Sequence, residues 1–435
     1  MNSKQSDRRR FLKEGAVLAG LAAGAIRSAS GQGPMSASGR TPESEIPENF
    51  RFFNERSRFE NSVRKLPSAG ESGASKCPLQ DLHGIITPSD LHFVAAYGMN
   101  PPDIDPREHR LLIHGLVHRP LIFTLEELKR LPSVSRIHLI ECVTNSYMFR
   151  KRTVHLPELR NRLTARDIHG NTSCSEWTGV PLSLLLQEAG VKNEASWIVA
   201  EGAEPVKHAR SIPLNKVMDD VIVAYAQNGE AIRRPNGYPL KLLVPGFEGA
   251  FNIKWLRRIK VVDQPYLTNV DVSHKVNLRP DGKMRWYNFE MPPKSVITRP
   301  SGEQRLPSRG FYEITGLAWS GGGTIRRVEV STDGGRNWKD AQLQEPVLRI
   351  AHTRFRFPWN WDGGEAVLQS RCTDDRGVVQ PTLAELGKIW GVNFDWEYWK
   401  IASETGYNGE HFNVIQPWKV TREGTVLDAM YDAWL

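Results

Sequence analysis

Three glycine turns constrain the last third of this chain more than any other feature: Gly321-Gly322-Gly323, Asp333-Gly334-Gly335 and Asp362-Gly363-Gly364. They separate short apolar or alternating runs at 315–320, 325–330 and 366–371. Short strands joined by glycine turns predict an antiparallel, immunoglobulin-like β-sandwich. Upstream the pattern differs. From about residue 78, strand signals at 110–116, 134–142 and 239–245 alternate with helical ones at 124–131 and 181–189. The first helix carries Glu126 and Glu127 in its opening turn, and Gly190 closes the second. Mixed α+β is therefore the expected class. With 435 residues the chain is too long for one ordinary core, so two domains are the natural division. Composition changes near Ser295, just after Pro292-Pro293, and this sets the boundary at about residue 295.

The N-terminus reads as an address. Arg8-Arg9-Arg10-Phe11-Leu12-Lys13 leads into small apolar residues at 15–26, and Ser28-Ala29-Ser30 offers a cleavage site. That apolar stretch of about twelve residues is too short to span a bilayer. Residues 1–30 resemble a twin-arginine export signal, and a periplasmic body with no membrane span is expected. Residues 31–79, mostly Ser, Gly, Pro, Glu and Arg without apolar periodicity, read as a linker and extended arm. Six cations against two acids in residues 1–30 account for +4 of the formal charge of +8. The remaining body is mildly basic, which suits small anions or an acidic protein partner and excludes nucleic acid as a partner. Cys77, Cys142, Cys174 and Cys372 are too dispersed for a disulfide framework. No C-x-x-C-H, zinc or iron–sulfur spacing occurs, so no haem is expected in this chain.

Nine motifs then appear in a fixed order. They are P-D-I-D-P (102–106), H-R-L-L-I-H-G-L (109–116), S-C-S-E-W-T-G-V-P-L (173–182), R-S-I-P-L (210–214) and V-A-Y-A-Q-N-G-E (223–230). K-W-L-R-R-I (254–259), K-S-V-I-T-R-P (294–300), G-L-A-W-S-G-G-G (316–323) and S-T-D-G-G-R-N-W (331–338) follow. Together they resemble the sulfite oxidase family, most closely its bacterial sulfane dehydrogenase branch, over roughly residues 80–390. The resemblance implies a molybdopterin-binding catalytic domain at 80–295. A homodimerising immunoglobulin-like domain with a C-terminal extension would occupy 296–435.

It also implies a site. Molybdenum held by the two pterin thiolates and one protein thiolate suits a soft cysteine ligand. The family's ligand opens C-A-G-N, and here the aligned run is Cys142-Val143-Thr144-Asn145-Ser146, so Cys142 is the expected metal ligand. Carried-over cofactor positions are Glu204, Asn236, Lys241, Asn252, Ile253 and Lys254, with the two lysines as phosphate partners. Trp177 matches a pocket-wall tryptophan, although a core aromatic would look the same from sequence. The pattern departs from the family at F-x-R-x-H, where Ala95 replaces the substrate-facing arginine and Tyr97 the cofactor-side histidine. Lys275 stands where a tyrosine is expected.

The loop after Cys142 is basic (Arg150, Lys151, Arg152, Arg160, Arg162, Arg166). It is a solvated face or the source of a replacement cation, and Lys275 competes for the second role. The implied activity is oxidation of a sulfite-like anion or a protein-bound sulfane, with electrons passing to a separate cytochrome c. Reduction of a sulfoxide or other oxo compound, and a decayed cofactor-binding scaffold, are the alternatives.

Overall fold

The computed structural model describes residues 57, 59–60, 62–65, 75–95, 100–146, 163–268, 276–278, 284–286, 289–394 and 411–430. The chain divides into Met1–Asn61 and Ser62–Leu435, and all that follows concerns the second unit. The export signal, Tyr97, Arg150, Lys151, Arg152, Arg160, Arg162 and Lys275 lie outside the described residues.

Two sheets build the first part of this unit. One has the order Leu121–Phe123, Leu111–Gly115, Leu256–Val262, Trp197–Gly202, Ala209–Pro213. Only Leu111–Gly115 and Leu256–Val262 run parallel in it. The other carries Val134–Glu141, Thr172–Pro181, Ile222–Gln227 and Glu230–Ala231, with Lys241–Leu243 also paired to Ile222–Gln227. Leu111, Ile113, Val180, Leu186, Ile198, Leu242 and Ile259 fill the core between them. The helix Leu125–Lys129 begins where sequence expects it, and Thr124 and Glu127 close a capping box that satisfies orphan backbone donors. The helix Leu182–Ala189 ends on Gly190 in the left-handed region.

The second part is a sandwich of two antiparallel sheets. Lys294–Arg299, Gly310–Trp319, Thr353–Trp361 and Gln342–Gln344 form one. Lys339–Asp340, Ile325–Ser331, Ala366–Asp374, Trp418–Val420 and Val426–Asp428 form the other. Ile314, Phe355, Val328, Leu368 and Trp418 interleave between them. The expected glycine turn is present, with Gly334 and Gly335 at φ +75° and +87°, a conformation that side-chain-bearing residues resist.

A third apolar cluster joins the two parts. Leu139, Ile140, Cys142 and Trp177 pack with Met291, Val296, Leu317, Trp319 and Ala351. The strand that ends at Cys142 therefore has one face seated on the sandwich. Among the described residues no helix is long and apolar enough to cross a membrane.

Candidate active site

Cys142 leaves the Val134–Glu141 strand at a turn that its own neighbours pin. Asn145 N–H donates to Cys142 O (3.1 Å) and Ser146 N–H to Val143 O (2.8 Å). The Asn145 side chain donates to Glu141 Oε1 (2.9 Å) and His169 O (3.1 Å) and accepts from Asn171 N–H (3.1 Å). This asparagine, three residues after the cysteine, makes the thiol's position a property of the backbone. Gly249 completes the close approach: a Cβ there would lie 2.9 Å from Glu141 O and 3.2 Å from Cys142 Cα. The Cys142 thiol lies 3.0 Å from Thr144 Oγ1.

The thiol opens into a pocket lined by His92, Ala95, Glu204, His208, Asn236, Lys241, Asn252 and Lys254 among others. Two of the linings are lysines, Lys241 buried and Lys254 half-buried. Lys241 Nζ donates to Asn236 O (3.3 Å) and lies 4.9 Å from the Trp177 ring centroid. Lys254 Nζ donates to Ala95 O (2.6 Å) and Pro235 O (3.1 Å). Burial pushes Lys241 down to about 7, and Lys254 adds to the shift. Burial likewise lowers Lys254 to about 8, against the opposing pull of Glu204 and Cys142. Burial raises the Glu204 carboxyl and, with Lys241, lowers His92 to about 3, so its imidazole stays neutral.

The polar atoms of this pocket are incompletely used. His92 Nε2, Asn236 Oδ1 and Glu204 Oε2 are buried with no hydrogen-bond partner among the described residues. Orphaned buried atoms are costly, and their convergence marks a ligand site. Two cations suit a phosphate, and the orphans suit the hydrogen-bonding edge of a heterocycle. No group of three or more His, Cys, Asp or Glu side chains comes together among the described residues. The site fits a metal carried on a phosphorylated organic cofactor.

Of the residues expected from sequence, Cys142, Glu204, Asn236, Lys241, Asn252 and Lys254 line this pocket. So does Ala95, at the position of the family's arginine, offering only its carbonyl. Asn252 turns its side chain to the backbone instead, accepting from Val244 N–H (2.9 Å) and donating to Glu248 O (3.3 Å). Ile253 is fully buried in the core. Trp177 is fully buried behind the pocket, under Lys241 and edge-on to His92, with its indole N–H on His138 O (3.2 Å). Cys77, Cys174 and Cys372 are buried thiols whose pKa burial pushes up, away from the pocket.

Sequence reasoning missed His92 and His208. His92 precedes Phe93 directly, so the segment does keep a histidine, displaced from the motif position by the Phe-Val-Ala-Ala-Tyr reading. His208 stands two residues before R-S-I-P-L and bonds Ala250 O through Nε2 (2.9 Å).

Comparison with known proteins agrees with this geometry. The family profile "Oxidoreductase molybdopterin binding domain" matches residues 98–270, and "Mo-co oxidoreductase dimerisation domain" matches 285–404. The chain belongs to the sulfite oxidase-type family of molybdopterin oxidoreductases. It is similar to the crystal structure of the sulfane dehydrogenase SoxCD from Paracoccus pantotrophus, at 36% identity and a TM-score of 0.75. That likeness covers 92% of this chain and 95% of the other. Among curated proteins it is 33% identical over 310 residues to an NADH nitrate reductase of Brassica napus, covering 64% of this chain and 33% of that protein. An NADH nitrate reductase of Arabidopsis thaliana is 32% identical over 320 residues, 66% of this chain and 34% of that protein. The chain thus spans about a third of the length of these curated relatives.

The buried lysines carry a measurable signature. Between about pH 7 and the ordinary lysine value of 10.5, Lys241 binds fewer protons folded than unfolded. Stability of the cofactor-free protein should then rise with pH across that window, since the unfolded state holds the extra proton. Thermal unfolding from pH 7 to 10 should show the rise, and Lys241→Met should flatten it. An equal slope in the variant would remove Lys241 from the role.

Proposed function

We propose that this chain is a molybdopterin-dependent dehydrogenase of a small sulfur compound, a sulfite-like anion or a protein-bound sulfane, passing electrons to a separate cytochrome c. The observation that carries this reading is the meeting, in one pocket, of a lone buried thiol with two lysines and three orphaned polar atoms. When bound, a molybdenum–molybdopterin group supplies a two-electron, oxygen-transferring centre. Cys142 would ligate the metal, Lys241 and Lys254 would hold the phosphate, and His92, Asn236 and Glu204 would meet the heterocycle. The neutral His92 orients without adding charge. The likeness to a sulfane dehydrogenase supports sulfur as the substrate element.

The same reading takes residues 80–295 as the cofactor domain and 296–435 as a homodimerising domain with a C-terminal extension. Export by a twin-arginine signal to the periplasm, and a haem-free chain served by a separate cytochrome, complete it. The nitrate reductase relatives favour a second reading, reduction of an oxo compound at the same centre.

Molybdenum content of the exported protein tests both enzymes against a metal-free scaffold. Cytochrome c reduction by a cysteine persulfide, set against oxidation of a reduced viologen by nitrate or a sulfoxide, then decides the direction. Ala95 adds a sharper expectation. An alanine carbonyl already bonded to Lys254 gives a sulfite oxygen no cation, and a lost charge-assisted contact costs about 2–5 kcal/mol. Sulfite should turn over poorly in the fully loaded wild type, and Ala95→Arg should improve it. Efficient sulfite oxidation by the wild type at roughly micromolar concentration, at the low end of enzyme KM values, would contradict this account of the pocket.

A further inference from the structure

Donor after donor in the Cys142 turn is committed away from the sulfur. Cys142 N–H donates to Asn171 O (2.8 Å), Asn145 N–H to Cys142 O (3.1 Å) and Ser146 N–H to Val143 O (2.8 Å). The Asn145 amide is spent on Glu141 Oε1 (2.9 Å) and His169 O (3.1 Å). Ser146 Oγ meets Phe412 N–H at 2.8 Å. The Thr144 hydroxyl is different. At 3.0 Å it makes the one hydrogen bond of the Cys142 sulfur among the described residues.

Sequence singles that hydroxyl out as well. The family's ligand run C-A-G-N has glycine at this place, with no side chain to reach the sulfur, whereas here the run is Cys142-Val143-Thr144-Asn145. Threonine's branch at Cβ limits its χ1, and in a helical turn its hydroxyl commonly bonds the carbonyl three or four residues back. Thr144 turns instead to the sulfur two residues back. A hydroxyl both accepts and donates, so a free thiol can give its hydrogen to Thr144. A sulfur that holds a metal is a thiolate and has no hydrogen to give. The contact then has one direction, from the threonine O–H to the sulfur.

We propose that Thr144 is a positioning residue of the Cys142 centre, its hydroxyl donating to the metal-bound sulfur and raising the reduction potential of the metal. The inference rests on the cofactor reading above, with Cys142 as the ligand. A thiolate that accepts a hydrogen bond gives its metal less electron density, which favours the reduced, electron-rich state. Hydrogen bonds to cysteine sulfur tune copper and iron–sulfur centres on the same ground. A higher potential makes the centre a stronger acceptor of electrons, which suits oxidation of the substrate. Lys254 also feels the charge of the sulfur, but its ammonium is held by Ala95 O (2.6 Å) and Pro235 O (3.1 Å). Removing the Thr144 hydroxyl leaves those lysine contacts alone.

Redox titration of the molybdenum-loaded protein, followed by the electron paramagnetic resonance signal of the half-reduced metal, tests it. Thr144→Val keeps the branched shape without the hydroxyl, and Thr144→Ser keeps the hydroxyl without the methyl. At about pH 6, below the values of about 7 and 8 for Lys241 and Lys254, both lysines hold their charge throughout. Thr144→Val should lower the potential by about a tenfold change in the oxidised-to-reduced ratio, the scale of one hydrogen bond. For a one-electron couple that is about 59 mV. Thr144→Ser should stay at the wild-type value, and X-ray absorption should count the same sulfurs in all three proteins. Equal potentials in wild type and Thr144→Val would overturn the role of the hydroxyl. So would an equal fall in Thr144→Ser, or a lower sulfur count in Thr144→Val. A wild type that binds no molybdenum would instead remove the cofactor reading, and this proposal with it.

Discussion

Glu141→Gln should lower the stability of this protein by about 3–5 kcal/mol, the usual cost of removing one partner from a buried ion pair. Glu141 is fully buried at the end of its strand, next to the apolar pair Leu139 and Ile140. Its carboxylate accepts from Lys294 Nζ (2.7 Å), Asn145 Nδ2 (2.9 Å), Trp319 Nε1 (2.7 Å) and His411 Nε2 (2.7 Å). An amide has the same shape but keeps one acceptor and turns a donor toward donors. Lys294, 1% exposed, would be left charged without a counter-ion. Urea unfolding should show the loss, and adding Lys294→Met should restore much of it, because the two residues couple directly.

The acid side agrees in sign. Burial raises the Glu141 carboxyl, but Lys294 and His411 outweigh it and hold it well below 4.5. Its contribution is complete above the unfolded value and is lost as pH falls below it. A loss under about 1 kcal/mol, the scale of an exposed pair, would show the network to be incidental.

Cys142→Ser should abolish redox activity, by at least about 100-fold, the upper end for residues that only support a metal ligand. Serine presents a harder oxygen where a soft sulfur is required. The fold should survive, because the turn is fixed by Asn145 and by Cys142 N–H on Asn171 O (2.8 Å), neither of which uses the thiol. Cys174→Ser changes a thiol that lies in the core and should leave metal coordination intact. An X-ray absorption spectrum counting the same number of sulfurs in wild type and Cys142→Ser would end the assignment.

What the sequence makes legible is local. The Val134–Glu141 strand shows in its own apolar run, the Leu125–Lys129 helix in Thr124 and Glu127, and the sandwich hairpins in their glycines. The strands Trp197–Gly202, Ala209–Pro213 and Leu256–Val262 show poorly. The partners of Leu256–Val262 are distant in sequence, and short apolar runs do not distinguish strand from helix. In the site, Lys241, Asn236 and Lys254 were reachable through the resemblance, whereas His92 was hidden because it stands before Phe93, five residues from the motif's histidine position at Tyr97. The Glu141 network was not legible. Its partners lie 153, 178 and 270 residues away, and only an acid directly after the apolar pair Leu139-Ile140 hints that something must answer it.

That last span has a consequence for how the protein is made. Synthesis runs from the N-terminus at about 5–20 residues per second. His411 therefore reaches Glu141 only some 270 residues later, roughly 15–55 s after the carboxylate has left the ribosome's active centre. Until Lys294 follows, 153 residues after Glu141, the strand that presents Cys142 has an unanswered charge at its end. A nascent chain has no finished pocket to load. The tail thus acts as a timer, and the thiol's surroundings mature only in a chain already translated past one sheet of the sandwich and most of the other.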